Sequence, residues 1–108
     1  MSAPEMPPIY SSLDEPDMAE LVEEFVACLQ ERVAALDAAV AAGNLAEITR
    51  LAHQLKGASG GYGFESVGIA AGELEALSKA AQSADQIRNE VDTVTGLCRR
   101  ARPAMART

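Results

Sequence analysis

The sequence predicts an all-α protein, an antiparallel up-down four-helix bundle with an extended N-terminal lead-in. Two observations predict it. Apolar residues recur at helical spacing through four successive segments, and no segment alternates as a strand would. The segments are joined by short runs of Gly, Asn, Ser and Pro, the length of tight links between antiparallel neighbours. The 108 residues suffice for one small domain, and 48% of them are hydrophobic, so a core can be filled. Aromatic residues make up only 4%, so that core is aliphatic.

Residues 1–16 hold four of the five prolines and read as the lead-in, with Ile9, Tyr10 and Leu13 available to tack it onto the domain. Asp17 is placed to cap the first helix, over about residues 17–42, whose apolar positions are Leu21, Val22, Phe25, Leu29, Val33, Leu36 and Val40. Gly43-Asn44 ends it. The second helix starts near Asn44, carries Ile48, Leu51, Ala52, Leu55 and Ser59, and closes among glycines at residues 61–63. The third starts at Phe64 or Glu65 and carries Val67, Ala70, Ala71, Leu74, Leu77 and Ala81. Ser83 is a plausible cap in the break at residues 82–85. The fourth carries Ile87, Val91, Val94, Cys98 and Ala101 and ends near Pro103. This divides the chain into a lead-in (1–16), a bundle (17–104) and a frayed tail (105–108).

Several function classes are set aside. No apolar run approaches the roughly 20 residues of a membrane span. The opening "MSAPEMPPIY" lacks the basic and apolar regions of a signal peptide, so a cytoplasmic protein without a membrane partner is expected. The net charge is −7, and every charged side chain before Arg32 is acidic. Nucleic-acid phosphates would be repelled, so no nucleic-acid partner is expected. Cys28 and Cys98 lie far apart without a CxxC pattern and read as small core residues rather than a disulfide or metal site. A monomer is expected.

The chain has a single histidine, His53, within "AHQLKGASGGYGF". On a helical wheel Ile48, Leu51, Leu55, Ser59 and Tyr62 cluster on one side, and His53 falls roughly 160° from their centre. Its wheel neighbours are Ala46, Thr49, Arg50, Lys56, Gly57 and Gly60. Gly57 is one turn further on, where a side chain would lean back over the imidazole. Glycine there leaves the ring uncovered at a helix cost of about 1 kcal/mol. Gly60 extends the bare strip, and Lys56 adds a positive charge to one side. The pattern suits an exposed nucleophilic imidazole that handles an anion such as a phosphoryl group. The residues alone also admit an ordinary surface histidine with an accidental glycine neighbour. Gly61 and Gly63 can equally be helix terminators.

The run His53-Gln54-Leu55-Lys56-Gly57-Ala58-Ser59, followed by Gly63 beyond Tyr62, closely resembles the motif of the histidine phosphotransfer (HPt) domain family. Leu74-Glu75 fits the same pattern downstream. The resemblance implies a carrier that accepts a phosphoryl group from an aspartyl phosphate on one receiver domain and passes it to an aspartate on another. It implies His53 as phosphoacceptor, Lys56 as a screen for phosphoryl charge and Gly57 as clearance for the receiver. Glu75 falls where related domains place a Gln or Glu that hydrogen-bonds the histidine. If it accepts from Nδ1–H, Nε2 is left as the nucleophile. Glu75 and Lys56 also read as ordinary surface charges. Arg50 reads as either a docking contact or a plain surface charge, and Thr49 and Gly60 belong to the same docking strip. Ile69, almost opposite the apolar stripe of the third helix, is a candidate second piece of that surface.

The chain has no nucleotide-binding Gly-rich loop and no acidic Mg²⁺ cluster, so a covalent carrier without a cofactor is expected, not a self-sufficient enzyme. Two other readings share the motif. One is a phosphoacceptor domain like that of chemotaxis-type kinases, charged in trans by an ATP-binding kinase. The other is an interaction module that carries no phosphate.

Overall fold

The computed structural model describes residues 6–104. Four helices follow one another: α1 (Ala19–Ala41), α2 (Leu45–Ser59), α3 (Glu65–Ala80) and α4 (Arg88–Arg100). Each packs on its neighbour in sequence, and α4 packs back on α1, which closes the four-helix bundle. The closest pairing is α2 on α3. Leu29, Leu36, Ile48, Leu51, Val67, Leu74, Val91 and Val94 fill the centre with almost no exposure, so the core is aliphatic as expected. Phe64 is its one fully buried aromatic ring.

The link from α1 to α2 uses both residues of the Gly43-Asn44 pair. Gly43 adopts a left-handed φ of 66°, and the amide of Asn44 donates back to Ala39 O at 2.9 Å, closing α1. Asn44 Oδ1 then accepts from the Glu47 amide at 3.1 Å, opening α2. The other two expected caps are not formed. A 3₁₀ turn over Pro16–Met18 precedes α1 and absorbs Asp17, because the fixed φ of Pro16 starts the turn early. Met18, not Asp17, flanks α1. Ser83 makes no side-chain cap to the 3₁₀ turn Ala84–Ile87 that precedes α4. The Gln82 amide donates to Gln86 Oε1 instead.

The lead-in does join the domain, through contacts that no strand pattern announces. Residues Ile9–Tyr10 (β1) pair in parallel with Ala101–Arg102 (β2), just beyond α4. Two residues per strand are too few to show alternation. The Ser11 amide donates to Arg102 O, and the Ser12 amide donates to Gly63 O in the α2–α3 link. Ile9 and Leu13 pack on the core, whereas Tyr10 stays exposed. The frayed tail expected at 105–108 lies outside the described residues, as do residues 1–5.

Three side chains expected in the core sit elsewhere. Leu21 is exposed because Val22, one residue and 100° further round, takes the inward position. Leu77 is exposed because the buried stripe of α3 runs through Val67, Ala71, Leu74, Glu75 and Ser78, rotated away from Leu77. Cys28 is half-buried, whereas Cys98 is fully buried, and both are free thiols. Burial pushes the Cys98 thiol up to about 12, against a smaller opposing pull from Arg99. Among the described residues, no helix is long and apolar enough to cross a membrane.

Candidate functional site

His53 stands on the outer face of α2 with its side chain 71% exposed, as the wheel predicts. Its neighbour is unusual for such a surface. Glu75, on the inward-rotated stripe of α3, is only 7% exposed, yet its carboxylate faces the imidazole. Glu75 Oε2 lies 2.8 Å from His53 Nδ1. Burial alone would raise the Glu75 carboxyl, but the hydrogen bonds from His53 and Lys79, with their charges, hold it below the ordinary value. It is therefore a carboxylate at neutral pH, and a carboxylate can only accept. Nδ1 carries the proton and donates it. In the neutral ring the lone pair is then on Nε2.

Two lysines complete the cluster. Lys56 Nζ lies 3.6 Å from Glu75 Oε1. Lys79 Nζ lies 3.4 Å from Oε2, the oxygen that also takes the histidine. Sequence reasoning missed Lys79, although it sits four residues after Glu75, the spacing of a helical ion pair. It also missed Ser78, whose hydroxyl lies 2.7 Å from that of Thr49 and donates to Glu75 O at 2.9 Å. The rotation of the α3 stripe toward Ser78 was the only signal, and it was masked by Leu77.

The other candidate residues separate into two groups. Gly57 and Gly60 face open space: a Cβ built on either meets nothing within 4 Å. The fold does not require glycine at those positions. Ile69 is 58% exposed on α3, and with Lys56, Gly60, Gly68, Gly72 and Ala76 it lines a shallow groove of about 560 Å³ beside the site. By contrast, Thr49 is half-buried in the α2–α3 seam, where its hydroxyl also lies 2.9 Å from Leu45 O. Arg50 is engaged with Glu47, donating from Nε to Oε1 at 2.7 Å. That contact holds Glu47 below its ordinary range, chiefly through the hydrogen bond. Among the described residues, no group of His, Cys, Asp and Glu is arranged to hold a metal ion.

The bare strip ends in a turn that does require glycine. Gly60–Tyr62 form a 3₁₀ turn, and Gly63 follows with φ 85°. A Cβ on Gly63 would overlap Ser11 Oγ and lie 2.7 Å from the Ser12 amide nitrogen. Ser11 Oγ donates to Tyr62 O at 2.7 Å, so the lead-in is clasped over this turn. Tyr62 stacks on Phe25 of α1 with ring centroids 4.3 Å apart.

The fold and site together are a four-helix bundle with one exposed imidazole beside a bare glycine strip. Residues 20–101 match the family model of the Hpt domain. The chain belongs to the Hpt domain family. The matched span runs from the first turn of α1 to the start of β2, so the strand-forming lead-in lies outside it. No curated protein and no solved structure gives a significant match.

Proposed function

We propose that this Hpt domain carries a phosphoryl group on His53 Nε2, taken from the aspartyl phosphate of one receiver domain and passed to the aspartate of another. Hpt domains are phosphocarriers that work with receiver domains of response regulators. The observation that carries the assignment to this residue is the pairing of an exposed imidazole with a buried carboxylate. Glu75 holds the proton on Nδ1, and the Nε2 lone pair is free for attack.

In the forward step the Nε2 lone pair forms the new N–P bond, and the P–O bond to the receiver aspartate breaks. The aspartate leaves as a carboxylate with that electron pair. The ring is then cationic, with its Nδ1 proton still held by Glu75. Onward transfer reverses these bond changes at a second receiver. Lys56, beside the ring, offers a cation to the phosphoryl oxygens. Gly57 and Gly60 give a receiver room to bring its aspartate to Nε2. The Ile69 groove supplies an apolar patch with Glu65 and Glu73 at its edge, the composition of a docking surface. Arg50 lies at the margin of this surface, and Thr49 supports it from within the seam.

The test is incubation with a receiver domain charged by acetyl phosphate. Acid-labile, base-stable phosphate is expected on the wild-type chain and none on His53→Gln, which is expected to keep the wild-type helical spectrum and a cooperative unfolding transition. Labelling that persists in His53→Gln would overturn the assignment. Labelling only by a kinase with ATP would favour a domain charged in trans.

A further inference from the structure

Glu75 has only two carboxylate oxygens, yet three cationic or proton-donating groups converge on them. Oε2 accepts from His53 Nδ1–H and lies 3.4 Å from Lys79 Nζ. Oε1 lies 3.6 Å from Lys56 Nζ. The stem of Lys56 is laid along Gly72, where a Cβ would touch Lys56 Cδ at 3.4 Å and Cγ at 3.6 Å. Among the described residues, the titratable and charged groups facing Glu75 are thus His53 and Lys56 from α2 and Lys79 from α3 itself. Lys79 is 64% exposed, and a lysine so exposed adds little to stability. Its consequence falls on the imidazole. An unscreened anion beside Nδ1–H favours the positively charged ring, and a cation on the same oxygen weakens that preference.

We propose that Lys79 is a positioning residue that acts through Glu75 to set how readily the His53 ring holds positive charge, and so how long a phosphoryl group stays on it. The second half rests on His53 being the phosphoacceptor. When phosphorylated Nε2 shares the ring with a protonated Nδ1, the ring departs as neutral imidazole. In hydrolysis the water oxygen forms the new P–O bond, the P–Nε2 bond breaks with its electron pair going to Nε2, and the water proton passes to solvent. Once Nδ1 has lost its proton, the same step must expel an imidazolide anion, a far poorer leaving group. Glu75 retains the Nδ1 proton and shortens the life of the phosphorylated state. Lys79 screens Glu75 and lengthens it.

The experiment follows the His53 ring signals by NMR against pH in wild type, Lys79→Gln, Lys79→Arg, Glu75→Gln and the Lys79→Gln/Glu75→Gln double variant. A unit charge a few ångströms away in a hydrated site changes an ionisation equilibrium by about 3- to 5-fold. Lys79→Gln is expected to raise the ratio of charged to neutral ring by that factor at a given pH. Lys79→Arg is expected to match wild type, and Glu75→Gln to shift the ratio the other way. In the Glu75→Gln background the effect of Lys79→Gln is expected to be clearly smaller, because the carboxylate that holds the ammonium beside the ring is gone. After charging by a receiver, Lys79→Gln is expected to lose its phosphate about 3-fold faster near neutral pH. A wild-type titration in Lys79→Gln would overturn the proposal. So would an undiminished effect of Lys79→Gln on the titration in the Glu75→Gln background, which would mean that Lys79 acts on the ring directly and not through Glu75. The titration needs no phosphate, so the two failures are distinguishable. Absence of label on His53 counts against the carrier function, whereas an unmoved ring titration counts against Lys79.

Discussion

The hydroxyls of Thr49 and Ser78 meet at 2.7 Å across the α2–α3 seam, one helical turn from where His53 meets Glu75. Thr49 lies four residues before His53 on α2, and Ser78 lies three residues after Glu75 on α3. The hydroxyl contact therefore lies in the same register in which the carboxylate reaches the ring. Thr49→Val keeps the shape and removes the hydroxyl. It is expected to cost about 1 kcal/mol in urea unfolding. The initial rate of labelling by a charged receiver is expected to fall with it, as the Glu75 contact loosens.

Gly57→Leu is expected to move stability and transfer in opposite directions. Open space surrounds the position, and glycine is a poor helix former. Leucine is expected to stabilise the helix by up to about 1 kcal/mol. The same side chain leans back over His53 and blocks the approach to Nε2. A higher melting temperature with a large loss of receiver-dependent labelling is the expected pair of results.

Gly63→Ala is expected to destabilise the fold by about 1–3 kcal/mol, because φ 85° is strained for any L side chain. Contact with the lead-in adds to that strain. Ser11→Ala in the same background is expected to recover only a minor part. The amide nitrogens of Ser12 and Leu13, 2.7 and 2.8 Å from the new Cβ, remain in place. Chemical unfolding of the two single variants and the double variant measures both contributions.

Glu75 makes the stability of the fold dependent on acid. Its folded carboxyl sits below the ordinary value of 4.5, so the folded state holds this proton less tightly than the unfolded chain. The resulting stabilisation is fully present above the ordinary range and is lost as pH falls through the lower folded value. Glu75→Gln removes this ionisation. Unfolding midpoints for wild type and Glu75→Gln, measured from about pH 7 down to about pH 3, are expected to converge as the pH falls.

Much of this arrangement was legible in the residues. The four helices announce themselves because long apolar stripes at helical spacing have no other way to be buried. His53 outside the core and the bare strip beside it follow from the same wheel. Gly43-Asn44 performs both of the tasks its residue types suggest. The details that escaped are those in which two competing side chains exchange places. Leu77 has the greater hydrophobicity, yet Ser78 is buried, because its hydroxyl finds partners in Thr49 and Glu75 O. Asp17 lost its capping position to the turn that Pro16 begins. The β1–β2 bridge joins residues more than 90 positions apart and is too short to leave a periodic trace. Lys79 needed only the helical ion-pair spacing once Glu75 was singled out.

The bridge has a mechanical consequence. Because β1 and β2 run parallel, pulling outward on residues at the two ends of the chain draws the strands in opposite directions along their own axis. The load arrives in shear, so the bonds of Ile9–Ser11 with Ala101–Arg102 resist together rather than opening one at a time. Ser12 on Gly63 O and Arg100 on Pro7 O brace the same junction. Tension applied through the ends is borne there first, and α2 with its imidazole stays unstretched until that junction gives way.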